Sequence, residues 1–294
     1  MTVTAAQVKE LRERTGAGMM ECKKALEASK GDMQHAIEEL RKSGRAKADK
    51  KASRIAAEGV VMLRTTNDGK YAVMVEINSE TDFVARDENF LAFAEAVVNT
   101  ALATKTHDVQ ALIKLPLAGV HTTIEEARQA LIAKVGENIN IRRIASTHLN
   151  ADVIGTYLHG GRIGVIAELE GDNQELAKDI AMHIAASKPL VVSPEDVPSD
   201  VIAKEKEIYM AQAAGSGKPQ DIIEKMVNGK LKKFLDEMSL LGQPFIKDPE
   251  VLVANLLNKQ RVKVIGFTRF EVGEGIEKEA EDFVHAVMAQ VHGS

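Results

Sequence analysis

Three glycine-bearing strings are the places in this sequence where phosphate chemistry could sit, and each lacks part of what that chemistry needs. GSGKP has no upstream glycine and no Ser or Thr after Lys218 to reach a magnesium ion, so it reads as a turn between helices. GAGMM and GEGIEK lack the third glycine of a dinucleotide loop. The eight histidines are dispersed, with no HxxxH or HExxH pair to share a helical face around zinc, and the single Cys22 excludes a CxxC site and an internal disulfide. An enzyme of this size would need a catalytic constellation, and none is legible. The expectation is therefore a chain that is not an enzyme, with no cofactor and no metal of its own.

What remains are residues suited to touching a partner. Thr81-Asp82-Phe83-Val84 sets a large aromatic beside an acid. Either Phe83 enters a partner pocket, a burial that contributes about 1.5 to 3 kcal/mol, or it folds back over its own helix. His159 lies in LHGGR, a turn where two glycines bring the backbone near whatever approaches; either it contacts a partner or, as a lone loop histidine usually is, it is simply solvated. Arg12, Met19, Met20 and Lys23 gather around the first glycine turn, and two adjacent methionines cannot both face inward on one helix. One of them then serves a partner surface or a loosely packed core.

The elements that would position these residues follow from the pattern of the chain. Ala5 to Arg14, Met19 to Ser29 and Met33 to Ser43 are three short amphipathic helices broken at Gly16, Gly18 and Gly31, with Asp32 capping the third. RKSGRAKADKKASR then reads as a solvated basic linker ending near Arg54, because it has no bulky apolar anchor. GVVMLRTT, an Asn67-Asp68-Gly69 turn and KYAVMVEIN form a hairpin, followed by a helix from Asn89 to Ala103. INIRRIAST and VIGTYLHG lead through Gly160-Gly161 into RIGVIAELE and a helix from Gln174 to Ser187, so the order returns and the core reads as an internal duplication. Val75 matches Ala167 at an offset of 92 and Phe90 matches Leu176 at 86, which leaves six extra residues in the first half, inside SETDFVARDE. Extra loop length that packing does not require points to function.

Farther on, Pro198 to Ala214 and Pro219 to Met238 read as an antiparallel helical hairpin. Its stripe of Ile222, Ile223, Met226, Leu231, Phe234, Leu235 and Met238 packs on the body or on a partner. VKVIGFTRFEVGEGI is a strand long enough to rejoin a sheet, and Glu277 to Val291 is a terminal amphipathic helix.

Composition sets the frame. The chain of 294 residues is 45% hydrophobic and 28% charged, ordinary for a globular chain of two or more packed units. A net charge of -5 gives no field that would draw it to nucleic acid or an anionic membrane, so a protein partner is expected. One cysteine, no signal-like N-terminus and no apolar run of membrane-spanning length fit a soluble, cytoplasmic protein. Two rival readings stay in view: an RNA or ribosome-binding module using the basic segment 41–54, and an enzyme with Asp82 and His159 as acid and base.

VKELRERTGAGMMECKKAL, TDFVARD, KVGENINIRR, YLHGGRIGV, HIAASKP and RFEVGEGIEK, in this order through nearly the whole chain, closely resemble the bacterial elongation factor Ts family. KLPLAGVHTTIEEAR is the main departure, longer than the corresponding link in some relatives. The resemblance implies an α+β fold: an N-terminal three-helix ubiquitin-associated-like domain with its basic linker over 1–54, and a duplicated α+β core with antiparallel sheets. The core's N-subdomain spans 55–145 and its C-subdomain 146–191 and 241–275. The helical hairpin is inserted over 192–240, with a C-terminal helical module over 276–294. It implies guanine-nucleotide exchange on elongation factor Tu, met both GDP-bound and nucleotide-free, with homodimerisation through the helical hairpin left open. Thr81, Asp82, Phe83 and Val84 would disturb the GTPase's magnesium site, with Arg12, Met19, Met20, Lys23 and His159 as further contacts.

Overall fold

The computed structural model describes residues 3–119, 122–148, 150–215 and 219–277. It is an α+β structure that divides into two compact units: residues 1–64, 73–145 and 270 onward in the first, and residues 65–72 and 146–269 in the second.

The first unit opens with α1 (Ala5–Thr15), α2 (Met19–Ala28) and α3 (Met33–Lys51). Thr4 and Gln7 cap α1 reciprocally, and Gly16 ends it at φ 68, donating its amide to the Arg12 carbonyl. Leu11, Cys22, Leu26 and Ala36 close over one another with Val8, Ile37 and Leu40 around them. The basic run expected as a linker is a continuation of α3, which packs on a later helix through buried Gly44 and Ala48. The physical reason is residue size: small side chains one turn apart let two helices approach closely, so no bulky apolar anchor was needed.

The sheet of this unit has the order β1 (Glu58–Thr65), β2 (Ala72–Ser79), β3 (Ile139–Ser146). Here INIRRIAST is the third strand of the first sheet and not the lead into the second. The middle strand β2 is buried along its length, which is why Ala72-Val73-Met74-Val75 runs apolar without alternating. Between β2 and β3 lie the one-turn α4 (Asp82–Ala85), α5 (Glu88–Thr104), α6 (Val109–Leu112) and α7 (Ile124–Val135). The Thr123 and Glu126 capping box that starts α7 was readable inside the divergent KLPLAGVHTTIEEAR string.

The second unit carries β4 (Val153–His159), antiparallel to β5 (Ile163–Glu170), with β8 (Lys263–Glu271) on the other side of β5. Helix α8 (Gln174–Ser187) covers β4 and β5, burying Ile180 and Ile184 against Val165, Ala167 and Leu169. Helices α9 (Ser199–Ala214) and α10 (Gln220–Met238) pack on each other through Ala213, Ile223 and Val227. Lys230 lies over Tyr209 and bonds Gln212, which sets the pair antiparallel. From the expected stripe Ile223 is buried and Ile222 is exposed, while Val227, outside it, is buried. A small ribbon of β6 (Pro244–Phe245) and β7 (Asp248–Leu252), then α11 (Val253–Gln260), lies between α10 and β8, a stretch expected in the core but with no element assigned to it. The terminal helix expected from Glu277 to Val291 lies outside the described residues beyond Glu277.

Candidate functional site

The loop between β2 and α5 is residues 80–87 and its counterpart between β5 and α8 is residues 171–173, so the surplus lies in the stretch the sequence singled out and is five residues by element bounds where the offsets give six. That surplus is ordered. Thr81 caps α4, accepting from the Val84 amide at 3.4 Å, and the Ala85 amide donates to the Thr81 carbonyl. Asp87 caps the next helix by accepting from the Asn89 and Phe90 amides. Ala85 is the buried residue of the turn and Val84 is half-buried, so this turn leans on the body with one side and presents the other.

Phe83 is on the presented side, 81% exposed, ahead of every other exposed large hydrophobic side chain described. The alternative in which it folds over its own helix is therefore not the arrangement found. An aromatic ring left in water forgoes about 1.5 to 3 kcal/mol that burial would contribute. Asp82 is ion-paired with Arg86 at 2.9 Å, one helical turn on.

The turn is held by residues far from it in the chain, just ahead of the neighbouring strand β3. Thr81 donates its amide to Glu137 Oε2 at 3.0 Å and its hydroxyl to Glu137 Oε1 at 2.7 Å. Ser79 Oγ donates to the Thr81 carbonyl at 2.9 Å. Beside them Glu80 accepts from the Asn138 amide at 2.6 Å and pairs with Arg54 at 3.5 Å. Glu137 is separated from Thr81 by 56 residues, and nothing in the sequence signalled the pair.

Near the first glycine turn, Met19 and Met20 are 59% and 63% exposed. Neither methionine lines the module's core, which Cys22, Ala25 and Leu26 supply from the same helix. Arg12 and Lys23 are also exposed, Lys23 pairing with Glu27 at 3.8 Å. In the second unit His159 ends β4, opposite Ile163, across the three residues Gly160-Gly161-Arg162; Gly160 and Gly161 sit at φ 55 and 68, and the Arg162 amide donates to the His159 carbonyl at 2.9 Å. Its Nδ1 meets the Tyr157 hydroxyl at 3.3 Å, and Leu158 beside it is exposed. Asp82 and His159 thus each have a local partner, Arg86 and Tyr157.

Five of the seven basic residues of segment 41–54 have partners on this chain. Arg41 pairs with Glu126, Lys42 with Glu39, Lys47 with Glu21 and Arg54 with Glu80, and Lys51 donates to the Gly136 carbonyl. Such pairing competes with phosphate binding. Among the described residues no group of three His, Cys, Asp or Glu could hold a metal ion, and no helix is long and apolar enough to cross a membrane.

Comparison with known proteins gives the family. The family model described as Elongation factor TS matches residues 80–274. A protein named Elongation factor Ts from Legionella pneumophila strain Paris is 57% identical over 290 residues, covering 99% of both chains. Its namesake from Thioalkalivibrio sulfidiphilus is 57% identical over 295 residues, covering both chains fully. The one from Francisella tularensis subsp. novicida is 55% identical over 291 residues and 99% of both. The chain belongs to the elongation factor Ts family.

Proposed function

We propose that this chain is the guanine-nucleotide exchange factor of translation elongation, and that it acts on elongation factor Tu by inserting Phe83 beside the GTPase's magnesium and phosphate site. The observation that carries the reading is Phe83 itself, 81% exposed on an ordered turn of a chain in the elongation factor Ts family.

A GTPase of this class holds GDP by backbone amides and a lysine on the phosphates, with magnesium bridging phosphate and protein ligands. An aromatic wedge that displaces the elements carrying those ligands weakens metal and phosphate together, and GDP leaves. Asp82 steers the wedge through polar contacts at its edge, while Thr81 and Val84 seat the turn. By linkage, GDP must weaken the factor as much as the factor weakens GDP, so the ternary complex is short-lived. No covalent bond is made or broken, and abundant GTP then refills the site.

Arg12, Met19, Met20, Lys23 and His159 supply further contacts with the GTPase. The α9–α10 hairpin, with Ile208 and Ile222 exposed, is a further partner surface, for which a second copy of the chain is one occupant. In this reading segment 1–54 acts as an ubiquitin-associated-like docking module, 55–145 and the pair 146–191 and 241–275 as a duplicated core, 192–240 as the inserted hairpin and 276–294 as a terminal module. The setting is the cytoplasm.

The test is release of fluorescently labelled GDP from elongation factor Tu in stopped flow at fixed magnesium, with the chain, with Phe83→Ala and with neither. The intact chain should accelerate release strongly. Phe83→Ala should still bind and yet accelerate about ten- to a hundredfold less, the factor that corresponds to losing one buried aromatic contact. Unchanged release with the intact chain would remove the exchange reading altogether.

A further inference from the structure

We propose that Glu137 is the positioning residue of the exchange site: its carboxylate clamps Thr81 and so holds Phe83 outward, ready to insert. This rests on the exchange reading above and deepens it.

The geometry is that of a two-point grip. Thr81 has two donors, its amide and its hydroxyl, and each meets a different oxygen of the one carboxylate, at 3.0 and 2.7 Å. A single bond would fix where Thr81 lies; two bonds to one planar group also fix how it is turned. Hydrogen bonds to an ionised acceptor are stronger than neutral ones. The Thr81 hydroxyl has one proton, donated to Glu137, so its lone pairs remain for the Val84 amide, and grip and helix cap support each other.

Glu137 is itself fixed on both sides. Gly136 ends α7 at φ 84, a left-handed turn that suits glycine, and its carbonyl accepts from Lys51. Asn138, buried, donates its amide to Glu80 and its side-chain nitrogen to the Arg54 carbonyl at 2.8 Å. The carboxylate therefore projects from a braced backbone toward a turn otherwise tied down by the Ser79 bond to the Thr81 carbonyl and the burial of Ala85.

That turn needs the help. A helix of four residues does not stand on its own, because nucleation fixes several dihedrals for a single hydrogen bond. Released from Thr81, the turn would sample other conformations and Phe83 would collapse onto its own surface, as exposed aromatic side chains do when they are free to. Holding the ring outward in advance removes the ordering cost from the moment of binding.

The experiment is the stopped-flow GDP release above, run on the full chain with Glu137→Ala, Phe83→Ala and the double variant of Glu137 and Phe83. Glu137→Ala, which removes both bonds of the grip, is expected to slow exchange at least about tenfold, the factor that corresponds to losing even one hydrogen bond to a charged group. In the Phe83→Ala background, Glu137→Ala should change nothing further, because a residue that acts only through Phe83 has nothing left to position. A role in general stability, or a direct contact with the GTPase, would slow exchange equally in both backgrounds and would overturn the proposal. So would full activity of Glu137→Ala beside a slowed Phe83→Ala, with the exchange reading intact. If Phe83→Ala exchanges normally, the wedge reading fails first and the positioning role with it.

Discussion

The stretch from β1 to β3 and the stretch from β4 to β8 each run a hairpin into a helix and return a third strand beside the hairpin's second strand. They part company at one connection. In the second, Gly171 at φ 112 turns the chain directly, and a side chain there would come within 3.2 Å of the Arg261 carbonyl, just ahead of β8. In the first, the same place is taken by Thr81 lying on Glu137, just ahead of β3, with α4 and Phe83 projecting from it. The second stretch is what this plan looks like when the connection only has to connect. The first shows what was added, and the addition is a presented ring and the means of holding it.

Replacing residues 80–87 with the Gly-Asp-Asn stretch found at 171–173 is the strongest way to break this comparison. Denaturant titration should show a folded chain with stability changed by no more than about 2 kcal/mol, within the range of ordinary point substitutions. GDP release from elongation factor Tu should fall to that of the GTPase alone. Retained exchange would mean that the added residues are not the functional difference between the two stretches.

A next effect in size concerns what the two stretches share. Glu76 on β2 and Glu168 on β5, related by the offset of 92, are both buried acids in middle strands. Glu76 is fully buried and accepts from the Gly273 amide at 2.8 Å, Asn78 at 3.0 Å and Arg142 at 3.1 Å, with Arg143 on its other oxygen. Burial alone would raise its carboxyl, and the Gly273 amide, Asn78 and Arg143 together outweigh it and hold the group below its ordinary value. Glu76→Ala leaves two arginines facing a void and should cost about 3 to 5 kcal/mol of unfolding free energy. A loss under about 1 kcal/mol would show that the network contributes nothing net.

Most of this plan was legible because hairpins and amphipathic helices carry local signals: Asn67-Asp68-Gly69, Gly160-Gly161, and the bounds of α8. The turn that carries Phe83 was legible as surplus against the corresponding connection of the second stretch. What escaped was of two kinds. α3 beyond Ser43 was missed because its buried face is made of Gly44 and Ala48, and small residues leave no hydrophobic stripe to count. The Glu137 grip, and the Asn138 bonds that brace it, join positions far apart in the chain, and a lone Glu after a glycine looks like any solvated loop acid. Pairing of that kind is a property of the folded chain only.

Helix packing separates the stretches more modestly. α5 seats bulky Phe90, Phe93 and Val97, while α8 brings Ala177 against the sheet so closely that a Cβ on Gly155 would lie 2.0 Å from the Ala177 carbonyl. Gly155→Ala must push α8 off β4, and should cost about 1 to 3 kcal/mol. Hydrogen exchange by segment should show the loss in α8, β4 and β5, with α5 and β2 protected as before. Equal loss in both stretches would mean that they unfold as one.

The smallest predicted difference is one of pH. By the helix offset of 86, Val97 in α5 corresponds to His183 in α8, and both are fully buried. His183 accepts from the Ile246 amide on Nδ1 at 3.2 Å, which leaves the proton on Nε2 to donate to Gln243 at 2.9 Å. Gln243 in turn donates to the Glu237 carbonyl at 2.7 Å. Burial pushes the imidazole below its ordinary value of 6.5, against the bond to Gln243. A lowered folded value means that below about pH 6.5 the unfolded chain takes up a proton that the folded chain refuses. The second stretch should therefore lose up to about 1.4 kcal/mol per pH unit as the pH falls from there through the folded value. The first stretch, with Val97, should not respond until the carboxylate range, where protonation of Glu76 removes its network. Segment-resolved hydrogen exchange from pH 7 to 5 reads this directly, and acid loosening of α5 together with α8 would show that His183 is not its source.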